Sequence, residues 1–87
     1  MLNLVILQEK EIRMTYTVNV IYAKDEHGYY VFCLQLAGCQ SQGGTVEEAR
    51  TTIQEAIELY LETLSKDEIS KHLSHEVITS SLEIAIA

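Results

Sequence analysis

All four glycines of this sequence fall between Gly28 and Gly44, and the apolar residues repeat with different periods on the two sides of that window. Upstream, Thr15 to Ala23 alternates, with Tyr16, Val18, Val20 and Tyr22 on one face and Thr17, Asn19 and Ile21 on the other. A period of two is the pattern of a half-buried strand. Downstream, Val46, Ala49, Ile53, Ala56, Ile57, Tyr60, Leu61 and Leu64 recur at helical spacing, which builds one apolar stripe. Sheet first and helix second is therefore the order the chain can adopt, with the turns gathered between.

Inside the window, Lys24 to Gly28 is polar and ends in glycine, and Tyr29 to about Leu36 is rich in aromatic and β-branched residues. This predicts a hairpin, followed by a short third strand between the glycine breaks of Gly38 to Gly44. Gly38 lets the chain turn sharply, and Gly43 and Gly44 permit positive φ ahead of a helix cap. Thr45 can accept from the backbone three residues on, with Glu48 placed to close a capping box. Ala49 and Ala56 lie on the inner stripe, where small side chains allow a close approach to the sheet. Ser65-Lys66-Asp67-Glu68 repeats the capping pattern and predicts a short second helix to about Leu73. Ser81 to Ala87 alternates again and reads as a last strand. The expected fold is α+β in the order β-β-β-α-β, a small antiparallel-rich sheet covered on one face by a helix. It forms one domain over residues 14–87, preceded by an N-terminal extension over 1–13. Within the extension, Leu2 to Leu7 suits an edge strand or an arm exchanged within an oligomer.

Thirteen acidic residues stand against six basic ones, a formal charge of -7, and the cations are scattered from Lys10 to Lys71. A polyanion would be repelled, so direct nucleic-acid binding is not expected. The acidity suits docking on a basic partner, or simply keeps a small domain in solution. The apolar start, Met1 to Leu7, is too short to span a bilayer and lacks a basic leader and a cleavage site, so a cytoplasmic protein without membrane contact is expected. Cys33 and Cys39 are too few for a disulfide framework and read as reduced thiols. A chain of 87 residues buries a modest core, which makes a homo-oligomer, dimer or tetramer, the expected supplement.

Candidate chemistry is sparse. His72, His75 and Glu76 resemble a partial metal site but have no further ligand close in sequence, and a solvated helix end is the expected reading. Cys39 has no adjacent cation to lower its pKa. Ser and His candidates crowd the polar tail, and no triad can be assembled. No enzyme activity, metal or cofactor is expected.

Three segments in order carry a resemblance. They are a Tyr16-Thr17-Val18 strand start, then Leu36-Ala37-Gly38-Cys39-Gln40-Ser41-Gln42-Gly43-Gly44-Thr45, then Glu47-Glu48-Ala49 followed by Gln54-Glu55-Ala56-Ile57-Glu58-Leu59-Tyr60-Leu61. Over about residues 15–64 this resembles the HicB-type antitoxin domain, with its Leu-Pro-Gly-Cys step, Gly-Asp-Thr step and two Glu-Ala steps along a helix. The structural motif falls here on Gly38, Cys39, Gly43, Gly44, Thr45, Glu48, Ala49 and Ala56. The resemblance implies a partial ribonuclease-H-like fold. It also implies an antitoxin that neutralises a small basic HicA-type mRNA-cleaving toxin by covering it. Genuine ribonuclease H needs converging carboxylates, whereas the strands here carry only Glu83, so nuclease chemistry is not implied. Leu34 and Ala37 stand where the family often has prolines, and Gln35 where it has an acidic residue. No basic segment suited to DNA binding follows residue 64, so operator binding is not carried over and a stand-alone form is expected. The candidate partner-binding residues are Glu47, Glu58 and Glu62 on the polar helix face and Tyr16, Tyr22 and Tyr30 in the hairpin. The alternative reading is a stand-alone oligomer that binds a small ligand or serves a structural role, with no toxin.

Overall fold

The computed structural model describes residues 15–87. The extension over 1–13 and its proposed arm lie outside the described residues. Three antiparallel strands, β1 (Val20–Asp25), β2 (Gly28–Cys33) and β3 (Gln40–Gly43), form one sheet in the order β1-β2-β3, followed by helices α1 (Val46–Glu62) and α2 (Lys66–Leu73). The α+β class and the helix-covered sheet are as the sequence indicates.

The pleat explains which residues meet the helix. Val20 pairs with Cys33 and Tyr22 with Val31. These inward positions pack with Ala49, Ile53 and Ile57 of α1 into one core that also takes in Leu36 and Cys39. Val31 and Leu36 are fully buried, each contributing about 1.5–3 kcal/mol by removal from water. Ile21 and Phe32 pair on the opposite face, which no described helix covers.

The first strand starts at Val20 rather than Thr15, and β2 stops at Cys33 rather than Leu36. The two shortfalls have one cause. Beyond Cys33 the chain bends away to drop Leu36 into the core, and residues 15–19 are left with no β2 to pair with. The bend is pinned by Leu34 N–H donating to Asn19 O (2.9 Å) and Cys33 N–H to Cys39 O (2.9 Å). Gln35 completes it, its Oε1 accepting from Asn19 N–H and its Nε2 donating to Asn19 Oδ1, both at 2.8 Å. An amide can do both jobs; a carboxylate could only accept.

Gly38 has φ +78°, as its turn requires, but Gly43 and Gly44 do not have positive φ. What Gly43 supplies is space. A Cβ there would stand 2.5 Å from Ala49 N and 2.8 Å from Glu48 Cβ, because the first turn of α1 rests on the end of β3. Thr45 caps α1, its Oγ1 accepting from Glu48 N–H at 3.1 Å. The return bond differs from a regular capping box: Glu48 Oε2 accepts from Gly44 N–H (2.8 Å), one residue upstream of the cap. α2 closes its box fully, with Ser65 Oγ accepting from Glu68 N–H (3.2 Å) and Glu68 Oε1 from Ser65 N–H (3.0 Å).

The last strand is the main correction. Residues 76–87 have no strand pairing, and Ile78, Leu82, Ile84 and Ile86 are exposed. The alternation is present in the sequence, but a strand exists only with a partner, and this segment has none within its own sheet.

Candidate functional site

The apolar stripe of α1 fixes where its carboxylates go. With Ala49, Ile53 and Ile57 turned to the sheet, Glu47, Glu58 and Glu62 fall on the solvent side and are exposed. Gln54 Nε2 donates to Glu58 Oε1 at 3.2 Å, the one side-chain bond these three make among the described residues. Among the described residues the only ion pair joins His27 to Glu26, so no carboxylate of α1 is ion-paired there. The last turn of α1 carries no basic residue, and Glu62 stands there near the negative end of the helix dipole. A cationic partner would relieve that placement.

A groove of ≈400 Å³ runs between β1 and α1. Val18, Val20, Tyr22, Ile53, Ile57 and Leu61 line it, and Tyr16, Arg50, Gln54 and Glu58 complete its walls. Thus Tyr16, Tyr22 and Glu58 are brought together. Glu47 is instead near the other flank of α1, beside Gln42, Glu48, Thr51 and Thr52. Tyr30 lies on the sheet face turned away from α1, its hydroxyl donating to Gln40 Oε1 and its ring 6.2 Å from that of Phe32. The six sequence-derived residues therefore do not share one surface: the carboxylates lie on the solvent side of α1, Tyr16 and Tyr22 in the groove beside Glu58, and Tyr30 on the open sheet face. The motif residues behave differently: Gly43, Gly44, Thr45, Glu48 and Ala49 make one continuous junction between β3 and α1, while Gly38 and Cys39 close the bend before β3. Ala56, half-buried, packs further along the same helix.

Cys33 and Cys39 are free and buried. Burial, and secondarily the neighbouring Cys33, pushes the Cys39 thiol up from its ordinary range, which suppresses thiolate formation. His72 sits edge-on to Tyr60 (centroids 6.4 Å apart), linking α2 to α1. Among the described residues no group of three His, Cys, Asp or Glu side chains is arranged to hold a metal, and no helix is long and apolar enough to cross a membrane. The surface that sequence reasoning missed is the exposed aliphatic row of Leu82, Ile84 and Ile86. Its alternation is visible in the sequence, but nothing in the alternation separates a strand of the chain's own sheet from one of another.

Comparison with known proteins places these features in a family. Residues 16–84 match the model of the HicB_like antitoxin of bacterial toxin-antitoxin systems. A UPF0150 protein of Helicobacter pylori strain J99 is 44% identical over 70 residues, covering 80% of this chain and 97% of that protein. A UPF0150 protein of Synechocystis is 49% identical over 53 residues (60% of this chain, 67% of that one). One of Thermoplasma acidophilum is 52% identical over 54 residues (61% and 75%). No solved structure matches the chain significantly. With the family model spanning the sheet, both helices and most of the segment beyond them, the chain belongs to the HicB-like antitoxins.

Proposed function

We propose that this protein is the antitoxin for a small basic HicA-type ribonuclease, which it neutralises in the cytoplasm by direct binding and without chemistry of its own. The observation that carries the reading is the solvent face of α1, where Glu47, Glu58 and Glu62 are exposed and form no ion pair among the described residues. A toxin that grips RNA must present a positive surface, and an acidic helix is complementary to it. Of the tyrosines, Tyr16 and Tyr22 share the groove with Glu58, and Tyr30 lies on the open sheet face. The reading rests on the carboxylates.

The test is to co-purify the chain with a HicA-type toxin encoded beside it and to follow association by stopped flow. The association rate should fall steeply as salt rises, since steering of this kind raises rates from about 10⁵–10⁶ towards 10⁸ M⁻¹s⁻¹ at low ionic strength. Changing Glu47, Glu58 and Glu62 together to Gln should slow association with the fold intact. A rate indifferent to salt and to the three substitutions would refute this docking face, and failure to bind such a toxin would refute the function.

A further inference from the structure

We propose that residues 80–86 of one chain add as a strand to the outer edge of β1 in a second copy, with Leu82, Ile84 and Ile86 filling the groove between β1 and α1. The inference is independent of the toxin reading.

The donor is a strand without a sheet. Leu82, Ile84 and Ile86 are 80%, 73% and 91% exposed, and their spacing of two puts them on one face of a strand. The other face carries Ser81, Glu83 and Ala85, small or polar. Such alternation specifies a strand with one buried side. Yet residues 75–87 make no hydrogen bond or ion pair among the described residues, and only Val77 is even half-buried. Three adjacent aliphatic side chains held in water forgo much of the free energy available to a small domain.

The acceptor has the matching chemistry. Among the described residues β1 is an edge strand, bonded to β2 alone. The chain before it extends the edge: residues 15–19 alternate between exposed and half-buried, but lie beyond the reach of β2. Beside that edge the groove exposes Val18, Val20 and Tyr22 from the sheet and Ile53, Ile57 and Leu61 from α1. A strand added there would turn every second residue into this groove. The opposite edge does not compete, because β3 is only four residues long and reads Gln-Ser-Gln-Gly.

A second copy is the occupant that fits. The arm leaves its own domain after α2 instead of folding back onto β1, so among the described residues the same apolar strand and the same open groove are present together on each chain. Reciprocal exchange satisfies both at once and closes with twofold symmetry, leaving neither an arm nor a groove over.

The experiment uses the full chain. Light scattering should give a dimer mass for the wild type, whereas Ile84→Lys should give half that mass. In a mixed sample of isotope-labelled and unlabelled wild type, filtered NMR should show inter-chain contacts from the Ile84 methyls to the Tyr22 ring. Amides from Leu82 to Ile86 should exchange at least about 100-fold more slowly than an open chain. A monomeric wild type would overturn the proposal, as would an Ile84→Lys chain that remains dimeric. Should Ile84→Lys unfold, the wild-type NMR decides: absent inter-chain contacts, or arm amides exchanging at open-chain rates, overturn the proposal.

Discussion

Gly43 offers a sharp test of how the sheet and α1 are joined. Replacing it with alanine places a methyl 2.5 Å from Ala49 N and 2.8 Å from Glu48 Cβ, against backbone and a helical Cβ rather than the end of a flexible chain. Neither atom can retreat without lifting the first turn of α1 off β3, and Ala49 is fully buried there. Overpacking of this kind costs about 1–3 kcal/mol, and a backbone clash belongs at the upper end. The stiffer unfolded chain returns about 0.4–1 kcal/mol. The net loss should be about 2 kcal/mol. For a small protein unfolding with a slope of about 1 kcal/mol per molar urea, the midpoint should fall by roughly 2 M. Gly44→Ala is the internal control. Its Cβ would meet only Glu48 Oε2, at 3.3 Å, so it should stay within about 1 kcal/mol of wild type. Both variants must be compared at one protein concentration, because association shifts apparent stability. If Gly43→Ala unfolds at the wild-type midpoint, or Gly44→Ala is equally damaging, the close-approach argument is wrong.

Two further outcomes are expected. Thr45→Ala removes the acceptor for Glu48 N–H and should lower stability by about 1 kcal/mol, read from the same urea transition; an unchanged midpoint would show that the cap contributes nothing. Glu68 is held below its ordinary 4.5, first by the Ser65 backbone N–H and then by the Ser65 side chain. The stabilisation is therefore present above pH 4.5 and is lost as pH falls through the lower folded-state value. An NMR titration of the Glu68 carboxyl should give a midpoint below 4.5, and one at or above it would refute the capping-box account.

What could be read from the sequence was local. The apolar stripe of α1, the Thr45 and Ser65 caps and the polar turn before β2 are each set by residues within a few positions of one another. What could not be read was set by distant partners. The start of β1 depends on where β2 bends, and that bend depends on Gln35 meeting Asn19, sixteen residues away. Gly43 read as a residue needed for φ, because the helix turn resting on it is a packing fact that no dihedral preference reveals. The candidate site was half legible. Helical periodicity put Glu47, Glu58 and Glu62 on the solvent face, but it could not show that Tyr30 lies across the sheet from Tyr16 and Tyr22. The terminal alternation announced a strand and said nothing of whose sheet it joins.

The attachment of α2 is slight, and this has a kinetic consequence. Ile69 is its one buried residue, and its other described tie is the edge-on meeting of His72 with Tyr60. A helix held so thinly opens as a unit of its own, well before the sheet and α1 give way. Its amides should lose their protons to deuterated solvent by partial opening, while those of α1 wait for global unfolding. Because α2 is the segment that carries the terminal arm, its opening would set how quickly paired copies trade partners. The lifetime of a dimer would then be tuned by one aliphatic contact and one aromatic pair far from the groove itself.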